Sequence, residues 1–218
     1  MTCIVATKFV DESRKIRVMM GADSASVEAS WLTQGERDDK KIFSAGQFIV
    51  GYTTSYRMGQ LLQYGSAVMP TERAKRRWLR KPAAVPTRTL ADLNLATYAH
   101  GHRWMVQEFV PWMLELLKAG KWATEDKGRV EVGQFLIAND NRLFMVHADG
   151  QVIDVPPFGA CGCGEQFARG AMIALHPKTR HHEMLHREDA QRLVTHALMA
   201  ANYWSAGVRE PFHYLTTG

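Results

Sequence analysis

The chain has 218 residues, 46% of them apolar and 22% charged, with a formal charge of +5. This length can bury a sizeable core without staples, and the composition sits in the ordinary globular range rather than the disordered or membrane range. The longest apolar runs, such as Gln47 to Tyr52, fall far short of the roughly 20 residues that a bilayer span needs.

One domain is expected. Lys8 and Asp11 interrupt the first apolar stretch and no small-residue cleavage site follows it, which points to a cytoplasmic protein rather than a secreted one. Cys3, Cys161 and Cys163 form an odd set with two members only two apart. That is no disulfide framework, so reduced thiols are expected.

In chain order, Thr2 to Val10 is rich in β-branched and apolar residues, Asp11 to Ser13 gives turn chemistry, and Lys15 to Ala22 resumes the apolar pattern as a hairpin. Lys41 to Phe43 and Gln47 to Tyr52, flanking Ala45 and Gly46, predict a second hairpin. Ser55 suits a helix cap, and Met58, Leu61 and Leu62 recur at helical spacing to about Tyr64. Pro70, Pro82 and Pro86 then break the pattern. Leu90 to Lys118 reads as a helical stretch kinked or divided at Pro111 and stopped by Gly120.

Gly133 to Ala138, Arg142 to His147 and Gln151 to Val155 predict a strand meander, with turns at Asn139 to Asn141 and at Ala148 to Gly150. Glu165 to Leu175 and Arg187 to Asn202 read as helices. Val208 to Leu215 closes the chain as a strand whose Pro211 suggests an edge or a bend. Strands broken by helix pairs suit an α+β fold with two face-to-face sheets and a helical layer outside each, a four-layer αββα sandwich.

A threonine hydroxyl is a weak nucleophile, activated in one known arrangement by the α-amine of the same residue. That amine has an ordinary pKa of about 7.7 to 8.0, so near neutral pH it can take the hydroxyl proton and later return one. Thr2 is one cleavage from this state, because a small second residue allows trimming of Met1. The company of Thr2 gives the position weight. Gly21-Ala22-Asp23-Ser24 ends the second strand and Lys40-Lys41-Ile42-Phe43 opens the third. Gly51-Tyr52-Thr53-Thr54-Ser55 ends the fourth before a helix. Gly162-Cys163-Gly164 precedes another helix, and Asn202-Tyr203-Trp204-Ser205-Ala206-Gly207 follows late.

In motif order and approximate spacing over nearly the whole chain, the sequence resembles the proteasome β-subunit family and its bacterial relative HslV, which are N-terminal nucleophile hydrolases. The resemblance implies that Thr2 is the nucleophile, that Asp23 and Lys41 form a buried charged pair beside it, and that Ser205 supports the α-amine. It places the oxyanion on a backbone N–H near Thr54, where the family usually has glycine. A Lys41 cation would favour the deprotonated hydroxyl, and Asp23 would compensate that cation. Two positions depart from the pattern: Cys163 stands where the family has serine, and Asn202 where it has aspartate, both around the α-amine. Slow or narrow peptidase activity is therefore expected.

The resemblance also implies a peptide or unfolded protein as substrate, a ring-shaped homo-oligomer, and service by an ATP-dependent unfoldase. No cofactor and no metal are expected. A catalytically impaired scaffold subunit of the same fold is the main alternative, and a small-molecule amidase with the same terminal chemistry is another.

His182-Glu183-Met184-Leu185-His186 matches the zinc-hydrolase pattern H-E-x-x-H. It lies just after Pro177, is flanked by charged residues and has no evident third ligand, which favours a solvated helix start. Cys161 and Cys163 lack the second pair a zinc site would need, and Cys3 reads as a packing residue. The basic run Arg73, Lys75, Arg76, Arg77, Arg80 and Lys81 carries one aromatic, Trp78, and so reads as a solvated loop rather than a nucleic-acid site.

Overall fold

A computed structural model describes residues 1–28, 33–68, 87–93, 101–126, 129–176 and 185–218. The first hairpin forms as the sequence predicts: Cys3–Val10 (β1) pairs antiparallel with Ile16–Ala22 (β2). Asp11 closes its turn by accepting from Lys15 N at 2.9 Å and from Arg17 Nε at 3.0 Å. Alternation along β1 sends Cys3, Val5 and Phe9 to one apolar cluster and Ile4 and Ala6 to another.

A small hairpin of Ala25–Glu28 (β3) and Thr33–Glu36 (β4) follows, then Ile42–Ala45 (β5) paired with Phe48–Tyr52 (β6). Helix α1 (Tyr56–Tyr64) is capped by Ser55, whose side chain accepts from Arg57 N. Strands Ser66–Val68 (β7) and Thr87–Thr89 (β8) form another short pair. Gly101–Trp104 (α2) and Val110–Ala119 (α3) flank a wide helical turn at Met105–Phe109. Thr124–Asp126 (β9) and Arg129–Glu131 (β10) make a further two-stranded ribbon.

The meander is Phe135–Asn139 (β11), Arg142–Val146 (β12) and Val152–Asp154 (β13). Phe158–Gly162 (β14), helices Glu165–Leu175 (α4) and Arg187–Trp204 (α5), and His213–Thr216 (β15) complete the chain. The strands form a four-stranded sheet in the order β14-β1-β2-β15 and a five-stranded sheet in the order β13-β12-β11-β6-β5. Ile4, Ala6, Val18 and Met20 of the first sheet meet Ile42, Ile49, Leu136 and Met145 of the second. The outer face of the first sheet packs on α4 and α5 through Ala168, Met172, Val194 and Leu198. The outer face of the second packs on α1, α2 and α3 through Met58, Trp104, Phe109 and Trp112. This is the four-layer αββα sandwich, its layers held by burial worth about 1.5–3 kcal/mol for each large apolar side chain.

Besides the short ribbons β3–β4, β7–β8 and β9–β10, which the sequence reading did not contain, three larger elements differ from it. Leu90 to Lys118 is not one helix over its described part: Leu90–Asp92 is a single tight turn after β8, followed by extended Leu93, and Gly101 onward is helical. Pro111 lies in the first turn of α3, directly after a widened turn closed by Val110 N donating to Met105 O. The last strand starts at His213 instead of Val208, because the carbonyls of Arg209 and Pro211 accept from Ser24 N and Ser24 Oγ. Strand β14, unread in the sequence, pairs with β1 from Cys3↔Gly162 to Thr7↔Phe158.

Among the described residues, no helix is long and apolar enough to cross a membrane. The basic run from Arg73 to Lys81, and His182 and Glu183 of the H-E-x-x-H match, lie outside the described residues.

Candidate active site

The first residue of β1 and the residue after β2 are brought together by the hairpin register, in which Ile4 faces Ala22. Asp23 thereby lies beside the start of the chain, where its Oδ1 accepts from Cys3 N at 2.8 Å. Its Oδ2 accepts from Ala25 N at 2.9 Å and from Lys41 Nζ at 2.8 Å. Lys41 immediately precedes β5, so both ions of the pair sit at the same end of the sandwich. Their side chains are 0% and 1% exposed. Burial pushes Lys41 below the ordinary lysine range, and the Asp23 charge pulls it back.

Thr2 is buried. With Met1 preceding it, its Oγ1 donates to Met1 O at 2.6 Å, and Lys41 Nζ donates to the same oxygen at 3.2 Å. Hydroxyl and ammonium thus converge on one point. Thr2 N donates to Cys163 Sγ at 3.3 Å, and the Cys163 thiol reaches back to Thr2 O at 3.4 Å. Cys163 is exposed, while Cys3 and Cys161 are buried, where desolvation drives their thiol pKa values far upward.

Ser205 stands behind that thiol: its Oγ donates to Cys163 Sγ at 3.5 Å and accepts from Gly207 N at 3.4 Å. Asn202 is exposed in the last turn of α5 and makes none of these hydrogen bonds. Thr54 follows β6 at φ 70°, a left-handed conformation that a β-branched residue rarely adopts. Its neighbour Thr53 is pinned to Gln134 O through both N, at 3.1 Å, and Oγ1, at 2.6 Å. Among the described residues Thr54 N–H donates no hydrogen bond.

Two glycines matter that carried no role in the sequence reading. Gly162 has φ +99°, and a Cβ there would overlap Thr2 O. A Cβ on Gly207 would overlap Met1 Cβ and stand 2.8 Å from Cys163 Sγ. The glycines on either side of Cys163 and after Ser205 were the available signal, since close backbone approach demands the missing side chain.

A cleft of about 710 Å³ at the opposite end of the sandwich is lined by Arg17, Gln47, Asn139, Asp140 and Thr217, and holds none of the candidate residues. His186 is exposed before α5, and no group of three metal-ligating side chains occurs among the described residues.

The arrangement of sheets and outer helices is shared with solved structures. BPH of Thiobacillus denitrificans, also solved in complex with epoxomicin, is 19% identical with a TM-score of 0.65 over 99% of this chain and 97% of its own. Eukaryotic HslV from Trypanosoma brucei is 15% identical with a TM-score of 0.60 over 99% and 98%. The Anbu (Gly-1) mutant from Hyphomicrobium sp. strain MC1 is 12% identical with a TM-score of 0.61 over 98% and 80%. The fold is that of HslV. No protein-family model and no curated protein sequence matches the chain. At such identities the likeness carries the fold, and the chemistry rests on the residues themselves.

Proposed function

We propose that this chain is a single-domain, proteasome-like threonine peptidase subunit that uses Thr2, freed by removal of Met1, to hydrolyse peptide bonds. The observation that carries the reading is the meeting of the Thr2 hydroxyl and the Lys41 ammonium on one oxygen, with Asp23 2.8 Å behind the ammonium. Once Met1 is gone, the Thr2 amine takes the hydroxyl proton and Oγ1 attacks the substrate carbonyl. Lys41 lowers the energy of the developing alkoxide, and Thr54 N–H receives the oxyanion. The amine then returns its proton to the leaving group, and water releases the acyl chain from the threonine ester.

Cys163 contacts the nitrogen that would be this amine, and Ser205 stands behind it. Asn202 contributes no charge. A thiol is a weaker hydrogen-bond partner than the hydroxyl it replaces, which supports slow turnover and gives the impaired-scaffold reading its foothold. The proposed assembly is a ring of identical subunits in the cytoplasm, acting on peptides or unfolded proteins, with an ATP-dependent unfoldase as partner.

The test uses protein confirmed by intact mass to have lost Met1. It should cleave fluorogenic peptides and form a covalent adduct with an epoxyketone such as epoxomicin, and Thr2→Ala should abolish both. A processed, assembled protein that cleaves no peptide and takes up no epoxyketone would instead be the scaffold.

A further inference from the structure

We infer that folding seals the Met1–Thr2 bond, so that an aminopeptidase can remove Met1 only from a chain that has not yet folded. The bond is held from both sides. Met1 O accepts from Thr2 Oγ1 at 2.6 Å and from Lys41 Nζ at 3.2 Å, and Thr2 N donates to Cys163 Sγ at 3.3 Å. The next residue is tied more tightly still, with Cys3 N on Asp23 Oδ1 at 2.8 Å and Cys3 itself 0% exposed at the start of β1.

The Met1 side chain is visible from solvent, at 49% exposure, but Thr2 is only 6% exposed. The Met1 side chain nevertheless lies against Gly207 so closely that a Cβ there would overlap Met1 Cβ and stand 2.8 Å from Met1 Sδ. An aminopeptidase must hold the scissile amide in its own site, with the residues on either side extended and water at the carbonyl. To reach that geometry, Thr2 has to leave its buried position and Cys3 has to leave β1, breaking its pairing with Gly162 and uncovering the Lys41–Asp23 pair.

Hydrolysis itself is simple in outcome: water adds across the amide, free methionine departs, and Thr2 keeps a terminal amine. The reaction that must supply the processed form is therefore a methionine aminopeptidase acting on the nascent or unfolded chain. Folded molecules divide at synthesis into two populations that do not interconvert. This inference rests on packing, and it stands apart from the assignment of Thr2 as a nucleophile because its readout is mass rather than activity.

The test takes Met1-retaining protein, produced with the host aminopeptidase inhibited, and exposes it folded to purified methionine aminopeptidase. A peptide of the sequence from Met1 to Lys8 is the reference. The peptide should lose methionine readily, while the folded protein should lose it about 100-fold more slowly or not at all, reflecting the small fraction of time the chain end is open. Denaturing the protein and refolding it in the presence of the aminopeptidase should restore trimming. Trimming of the folded protein at a rate near that of the peptide would overturn the inference. Equal resistance of the peptide and the folded chain would overturn it too, since the protection would then lie in the sequence and not in the fold.

Discussion

Lys41 Nζ lies 2.8 Å from Asp23 Oδ2, with neither side chain open to solvent. Two buried ions in contact contribute little net stability, because desolvation offsets attraction, but removing one strands the other. Lys41→Met is therefore expected to destabilise the fold by about 3–5 kcal/mol and to abolish peptide cleavage. Asp23→Asn should cost a comparable amount, because it strands the Lys41 cation and its amide NH2 must face either Cys3 N or the Ala25 N and Lys41 Nζ donors. Urea denaturation midpoints read the stabilities, and epoxyketone labelling reads the site.

Thr54 offers a second test, because its positive φ is imposed on a β-branched residue. Thr54→Gly should stabilise the protein by about 1 kcal/mol if release of strain outweighs the entropy glycine adds to the unfolded chain. The donor N–H is retained, so turnover should hold or rise. Thr54→Pro removes that N–H but also forces φ from 70° to about −65°, so it should suppress turnover and destabilise the turn together, which urea denaturation beside the kinetics would show.

The three thiols should separate cleanly in reactivity. Burial raises the pKa values of Cys3 and Cys161 and keeps both as inert thiols, whereas Cys163 is exposed beside Thr2 N. Iodoacetamide at about pH 8 should alkylate Cys163 first and block peptide cleavage in step with its modification. Cys163→Ser should raise kcat by a few-fold, since a hydroxyl holds the amine better than a thiol. Peptide mapping and a kcat series check both.

Much of this organisation was legible in the sequence for a physical reason: hairpins with turn residues at Asp11 to Ser13 and Asn139 to Asn141 fix their own register, so the positions at their ends are fixed too. Asp23 and Lys41 come together because each directly borders a strand. Strand β14 escaped notice because Pro156, Pro157, Gly159 and Gly162 interrupt its short pattern, and its pairing with β1 spans some 150 residues of sequence, as in Lys8 N donating to Pro157 O. At Gly207 the glycine itself signalled a close approach, but the sequence did not say that Met1 is what packs against it. The support of Thr2 N by Cys163 alone, with Ser205 behind it, depends on side-chain reach that motif spacing does not specify.

Stability should also depend on pH through His176 and His213. Burial lowers both pKa values, and Lys40 lowers that of His213 further against a weaker pull from Glu36. His176 packs against the Phe158 ring at 5.2 Å, and His213 pairs with Ala22, next to Asp23. Because each folded pKa lies below its unfolded value, the unfolded chain binds more protons between the two. The contribution of each is therefore fully present above the unfolded value of about 6.5 and is lost as pH falls through the lowered folded values. The melting temperature should decline as the buffer is taken from pH 7.5 to pH 5. His176→Gln and His213→Gln should each flatten that decline, and the pair of substitutions together should flatten it most. A pair variant whose melting temperature still falls as steeply as that of the parent would assign the acid sensitivity to other groups.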